Sequence, residues 1–247
     1  MTRFALVACS LLAVASGVCG LELPEFLRVC SRNNPDLDAC ITDSVEHLKP
    51  YLVKGVPEYH IPSLEPLLLR ELVATQSTGI KITATNVHAY GASNFFVRRV
   101  KVDFPKLHFE VDIDLPHLYV DGAYEIDGRV LLLPISGSGP MTGNFTECTG
   151  DVVFQGEVVK GDDGMDHLNF NEFTLKVTVG NGNLQLENLF GGERVLGDVV
   201  NNAINSNFDA FAKELLPVLE KALAEAFLEI GNNVVRPYTY EQLFPDN

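Results

Sequence analysis

From Glu193 to Ile230 the chain reads as helix almost throughout. Val195, Val199, Ile204, Phe208, Phe211, Leu215, Val218, Ala222, Ala226 and Ile230 recur every three to five residues, and Leu196, Val200, Leu219, Leu223 and Phe227 widen the stripe. Pro217 lies inside the run and is expected to kink it rather than end it. At 1.5 Å of rise per residue the segment is roughly 57 Å long, more than the diameter of a compact sphere of this mass. An apolar rod of that length needs an equally long apolar surface to cover it, so the rest of the chain must supply one.

The middle of the chain supplies it as strands. Residues 80–90, 95–104, 107–114 and 117–133 alternate with a period of two, clearest where Leu107, Phe109, Val111 and Ile113 interleave with His108, Glu110, Asp112 and Asp114. That pattern predicts a half-buried antiparallel sheet. Further strands at 152–160 and 167–179 flank the turn signal Gly161-Asp162-Asp163-Gly164. Within 167–179 the apolar parity switches, from Leu168 and Phe170 to Phe173, Leu175, Val177 and Val179. One extra residue there predicts a β-bulge, and so a bend. The expected fold is α+β: a single elongated domain in which a highly curved antiparallel sheet wraps the long C-terminal helix lengthwise. A sheet face larger than the helix can fill leaves an apolar tunnel, a place for lipid-like ligands.

The start of the chain has a different role. Arg3, an apolar run and a small-residue end at Gly20 have the layout of a secretory signal peptide, shorter than a bilayer span. Residues 1–20 are therefore expected to be removed, leaving 21–247 as the extracellular domain. Of the five cysteines, Cys9 and Cys19 leave with the signal. Cys30 and Cys40 are spaced to close a short loop in an oxidising compartment, a closure that contributes about 2–3 kcal/mol. Cys148 is left over and reads as a buried thiol. Asn34-Pro35-Asp36 reads as an N-cap followed by Pro at the first helical position, opening a helix along Leu37, Ile41, Val45, Leu48 and Leu52. A proline-punctuated linker, 55–66, follows it. The one sequon, Asn144-Phe145-Thr146, is a glycosylation acceptor in a turn-rich stretch.

Charge excludes several partners. Eighteen Lys and Arg face 33 Asp and Glu, a formal net charge of −15. No basic cluster is present to hold nucleic acid or anionic headgroups. Catalytic and metal motifs are equally weak. Gly137-Ser138-Gly139-Pro140-Met141-Thr142-Gly143 has the wrong spacing for a phosphate loop and reads as a loop between strands. Gly91-Ala92-Ser93 is half a nucleophile elbow. The six histidines are dispersed, and 162–166 lacks a calcium-loop pattern. Asp112, Asp114, Asp121, Glu125 and Asp127 alternate with apolar residues as a wet sheet face does. Asn201, Asn202, Asn205 and Asn207 form a polar patch that either orients a ligand or serves hydrogen bonding within the fold. No cofactor, metal or catalytic residue is assigned, and no enzyme activity is expected.

Several segments resemble a known family. Gly55-Val56-Pro57 with Ile61-Pro62-Ser63-Leu64-Glu65-Pro66-Leu67, then Gly122-Ala123-Tyr124 through Leu131 to Gly139, are similar to motifs of the insect takeout and juvenile-hormone-binding protein family. The most specific match is Leu186-Glu187-Asn188-Leu189-Phe190-Gly191-Gly192 with Val195-Leu196-Gly197-Asp198, and the chain closes on Leu243-Phe244-Pro245. Cys30 and Cys40 fall where that family places its N-terminal disulfide. The resemblance implies the tubular lipid-binding fold and a secreted carrier of small hydrophobic molecules, linked to circadian output or feeding behaviour. It departs from the hormone carriers in lacking a partner for Cys148 and in having Asn207-Phe208 where many members have Asn-Trp, which places it on the takeout-like side.

The function expected is thus a monomeric extracellular carrier of a juvenile-hormone-like terpenoid or fatty acyl compound. Tunnel wall is expected from Leu107, Phe109, Val111, Ile113, Val130, Leu132, Phe173, Leu175, Val177, Phe208, Phe211 and Leu215. Tyr124 is the candidate polar anchor, because a buried phenol needs a partner. The alternative is a secreted signalling protein that contacts a receptor through its acidic surface and takes no small ligand.

Overall fold

The structure is a computed structural model that describes residues 22–75, 79–130 and 133–246. Residues 1–20, the expected signal, and Leu132 lie outside them. Helix α1 spans Leu37–Lys54 and is followed by strands β1 (Leu67–Thr75), β2 (Lys81–Tyr90), β3 (Phe96–Asp103), β4 (His108–Val130), β5 (Leu133–Lys160) and β6 (Asp166–Leu186). Helices α2 (Arg194–Ser206) and α3 (Phe208–Val235) and the short α4 (Tyr240–Leu243) complete it. The strands form one antiparallel sheet in the order β1-β2-β4-β5-β6. β3 shares β4 with β2, pairing with its first half (Phe96↔Asp114 to Asp103↔His108) while β2 pairs with its second.

Three strands are far longer than the usual five or six residues, and local irregularities curve them. The bulge expected in 167–179 is at Asn171: Gln155 faces Glu172 while the next residue, Gly156, faces Phe170. A second break crosses three strands in one row. Leu115 and Val179 both pair with buried Cys148, and the pairings resume at His117, Thr146 and Asn181. Across that row the inward-facing parity changes, from Ile113 and Leu115 to Tyr124, Ile126 and Val130 on β4, with Glu147 at a positive φ of 55°.

Several elements differ from expectation. Residues 108–130 form one long strand where two were expected, and β1 occupies 67–75, which had no assigned role. The glycine cluster 137–143 is inside β5, not in a loop. A Cβ at Gly139 would lie 2.7 Å from the Glu187 carbonyl oxygen and one at Gly137 2.9 Å from the Leu189 Cα, so these glycines let the 187–189 segment cross the strand at close range. Asn144 is likewise on β5, exposed, rather than in a turn. Asp36, not Asn34, is the residue before α1, and Asn34 instead accepts a hydrogen bond from the Asp36 N–H.

The long helix is two helices. At Asn207 the backbone leaves the helical region (φ −129°), and its side-chain amide donates to the Ala203 carbonyl oxygen, 3.0 Å. Such local side-chain bonding competes with helix continuation. Pro217 lies within α3 without ending it. α2 buries Val200, Asn201 and Ile204, which leaves Val195, Leu196 and Val199, expected in the buried stripe, on its exposed side.

β6 is a sheet edge, and the helices complete it. Asn201 accepts from the Leu186 N–H (3.0 Å) and donates to the Leu186 carbonyl oxygen (2.9 Å). Asn205 makes the same pair with Leu184, and Asn232 with Phe170. Buried Glu220 accepts from the Val177 N–H and pairs with Lys176, 3.0 Å. These side chains take the place of a neighbouring strand, which is how an edge that would otherwise invite another chain is satisfied. Of the asparagine patch, Asn201 and Asn205 therefore bind the backbone of β6.

Candidate functional site

One core of aliphatic residues joins β1, β2, the second half of β4, α2 and the first half of α3, with Leu69, Ile80, Ile126, Ile204 and Leu215 among its members. At the other end of the tube a run of phenylalanines takes over. Phe244 stacks on Phe109 (ring centroids 5.9 Å) and meets Phe104 (4.9 Å), and Phe109, Phe170, Phe154, Phe173 and Phe227 follow in unbroken contact. Between these packed regions a cavity of about 390 Å³ opens beneath α1.

Its walls come from distant parts of the sequence. α1 contributes Leu48 and Leu52, the segment before it Pro24 and Leu27, and the linker Tyr59, Ile61, Pro62 and Leu64. β1, the β2–β3 connection and β4 contribute Leu67, Ala92, Phe95, Ile113 and Leu115; the end of α3 and the residues after it contribute Phe227, Ile230, Val234 and Tyr238. No charged side chain is among them. Tyr59 and Tyr238 are the two phenols among them. α1 forms an outer layer on this space, and none of its residues is fully buried.

The N-terminal arm is held at both ends. Cys30 and Cys40 form a disulfide that ties the arm to α1. Arg32 ties it to the C-terminal tail: its guanidinium reaches Glu241 (2.6 Å) and Asp246 (2.8 Å) and lies over the Tyr240 ring, while its N–H donates to the Pro245 carbonyl oxygen. Phe26 stacks on Tyr51 of α1, centroids 4.6 Å apart. The arm and tail that carry Pro24, Leu27 and Tyr238 to the cavity are thereby fixed to each other.

The residues expected to line a tunnel are distributed over several roles. Ile113 lines the large cavity. Val130 and Phe211 line a separate one of about 110 Å³ at the opposite end, with Ile135, Val200 and Ile204. The two cavities share no lining residue. Phe109 and Phe173 belong to the phenylalanine run, and Leu215 to the aliphatic core. Phe208 lies on Gly182, where a Cβ would come within 2.1 Å of its ring. Val111, Leu175 and Val177 are half-buried on β4 and β6, and Leu107 is half-buried in the turn before β4, its carbonyl oxygen accepting from the Gly156 N–H. Tyr124 is not a free anchor. Its hydroxyl donates to the Glu187 carbonyl oxygen at 2.6 Å, and burial, with Glu187 nearby, pushes its pKa up to about 12.

Elsewhere the polar groups answer to the fold. Ser93 donates to Glu65, which also accepts from the Gly91 N–H, and His88 pairs with Asp121 at 3.0 Å. Asp112 and Asp114 pair with Arg99 and Arg98. Among the described residues no cluster of three His, Cys, Asp or Glu side chains is placed to hold a metal, and no helix is long and apolar enough to cross a membrane.

A model of the haemolymph juvenile hormone binding protein family matches residues 6–245. The chain belongs to that family. Its members are haemolymph carriers that bind hydrophobic ligands, and the family is one of binding proteins rather than enzymes. Within it, the circadian clock-controlled protein daywake of Drosophila melanogaster is 25% identical over 231 residues, 90% of this chain and 88% of that protein. A putative beta-carotene-binding protein of Schistocerca gregaria is 22% identical, covering 89% and 88%. The crystal structure of Epiphyas postvittana Takeout 1 superposes with a TM-score of 0.73 at 26% identity, covering 88% of this chain and 99% of that one. The curled antiparallel sheet with C-terminal helices is the takeout fold.

Most of the large cavity's wall was not foreseen. Leu48 and Leu52 were visible as the apolar face of a helix and Ile230 as the end of a helical stripe, but nothing local marks them as neighbours. Tyr238 follows Pro237 just past the end of α3, a position with no periodic pattern to interpret.

Proposed function

We propose that the chain is a secreted extracellular carrier, residues 1–20 being removed, that holds one small hydrophobic molecule of terpenoid or fatty acyl class in the cavity beneath α1. The cavity itself carries the reading: a space of about 390 Å³, within the range of small-molecule sites, whose wall is apolar but for two phenols. Covering about 300 Å² of ligand apolar surface at ~25 cal/mol per Å² is worth on the order of 7 kcal/mol before the cost of lost ligand freedom. The family and the name of its locust relative support a carrier, and the daywake name supports a place in circadian output; the feeding role rests on the takeout resemblance. The carrier acts as a monomer, with Asn144 exposed for glycosylation.

The test is uptake by stripped protein. Residues 21–247, secreted from insect cells and delipidated, are titrated with N-phenyl-1-naphthylamine, then challenged with terpenoid alcohols, methyl esters and fatty acids. Saturable fluorescence at one probe per chain, displaced by members of the panel, is expected. No saturable uptake, together with no lipid in the organic extract of natively purified protein, overturns the proposal and leaves the receptor-binding alternative.

A further inference from the structure

α2 carries more apolar surface than the fold covers. Its buried side is Val200, Asn201 and Ile204, yet Val195 is 74% exposed, Val199 59% and Leu196 50%. Val195 and Val199 are four residues apart and share one line of the helix. Leu196 and Val200 form the next, Leu196 open to solvent and Val200 buried. One apolar arc thus runs without a break from the core out into water. Leu133, 39% exposed, extends it from the sheet, since it shares with Val200 and Ala203 the wall of the small cavity. Single apolar side chains on a surface need no account, whereas neighbours on one face do. The approach is clear: a Cβ at Gly191 or Gly192, in the turn that enters α2, would meet no atom within 4 Å.

We propose that this face of α2 docks on a lipid surface with zwitterionic headgroups, the helix lying in the plane of the interface with Val195, Leu196 and Val199 among the outer acyl carbons. Charge selects the occupant. Arg194 and Asp198 are the only charged residues of α2 and cancel, and its other polar residues are Asn201, Asn202, Asn205 and Ser206. The face is therefore a neutral part of a chain whose formal net charge is −15. A second copy would bring one strongly acidic molecule against another, and an anionic bilayer would repel the whole chain. A surface without net charge raises no such barrier. An amphipathic helix whose polar side is neutral binds through apolar contact, most readily where curvature opens gaps between headgroups. The location rests on the extracellular reading above, because the anionic leaflet is the cytoplasmic one. The docking itself requires no cargo.

The chain contains no Trp, so one introduced Trp reports insertion on a dark background. Residues 21–247 carrying Val199→Trp are titrated with dioleoylphosphatidylcholine vesicles of ~30 nm and ~200 nm diameter. A saturable blue shift of the emission is expected, with a lipid midpoint at least about threefold lower on the small vesicles. Adding Leu196→Asp, or Val195→Asp at the most exposed position, is expected to raise that midpoint at least about tenfold. The melting midpoint is expected to move by no more than about 3 °C, because both side chains face solvent. Phe96→Trp, exposed on β3 beside Lys49 of α1, is the control and is expected to give no shift. Uptake of N-phenyl-1-naphthylamine is expected to be unchanged in both Asp variants, so failure of the docking leaves the carrier reading standing. No shift on either vesicle, an equal shift from Phe96→Trp, or a shift unmoved by both Asp variants overturns the docking. So does a shift that requires phosphatidylserine, or light scattering that shows a dimer dissolved by Leu196→Asp, which would give the face to a second copy.

Discussion

Replacing Asn201 with Leu isolates the contribution of helix side chains to the sheet edge. Asn201 is 5% exposed, and its amide is bonded to both backbone groups of Leu186, itself 5% exposed. Leucine is close in size but offers neither donor nor acceptor, so one N–H and one carbonyl oxygen lose their partners where water does not reach. At about 1–3 kcal/mol for each orphaned group the loss is roughly 2–6 kcal/mol, offset by about 1–2 kcal/mol from a better-buried apolar side chain. The net expectation is about 3 kcal/mol, a fall in melting midpoint of about 6–12 °C for a chain of this size. Urea unfolding followed by circular dichroism, with the disulfide intact, measures it as a lower midpoint at unchanged slope. Asn202→Leu, one residue away on the exposed side of α2, is the control and is expected to move stability by no more than about 0.5 kcal/mol. Amide exchange gives the local readout: the Leu186 N–H, protected in the wild type, exchanges faster in the variant. Equal urea midpoints for Asn201→Leu and Asn202→Leu would refute the argument, because the edge of β6 would then need no partner from α2.

Two further outcomes concern titrating groups. Cys148 is 3% exposed, and burial pushes its pKa up to about 11, so at about pH 8 roughly one molecule in a thousand is thiolate. Folded protein is expected to resist Ellman's reagent and release one equivalent on unfolding in guanidinium; stoichiometric reaction of the folded form within minutes would contradict this. Because that pKa is raised, its contribution to stability is whole below about pH 9, the unfolded value, and is lost as pH climbs toward about 11. On the β3–β4 face the sign is opposite. Hydrogen bonds from Arg99 and Lys101 hold Asp112 and Glu110 below their ordinary values of 3.8 and 4.5. Their contribution is present above those values and lost as pH falls through the lower folded ones. A pH series of urea midpoints is expected to show an acid limb below about pH 4.5 that is shallower in Asp112→Asn; an identical limb in the variant would remove Asp112 from the account.

What was legible in the sequence was what repeats locally. The alternation around Phe109 and Ile113 located β4, and the parity switch after Phe170 located the bulge at Asn171, because a strand's period of two registers a single inserted residue. The wrapping of helix by sheet followed from the length of the apolar stripe together with the bulged strands, although the rod itself breaks at Asn207. What did not show was settled by contact between distant segments. Asn201 and Asn205 look like any solvated helix face until β6 is placed beside them, and Gly137 and Gly139 look like a turn until 187–189 crosses them. The break at Asn207 was hidden because apolar spacing continues across it from Ile204 to Phe208. The cavity is the extreme case. A void is defined by side chains that fail to reach one another, and its wall uses the same Leu, Ile and Phe as a packed core, so no composition distinguishes Ile113, which lines it, from Phe109, which is stacked.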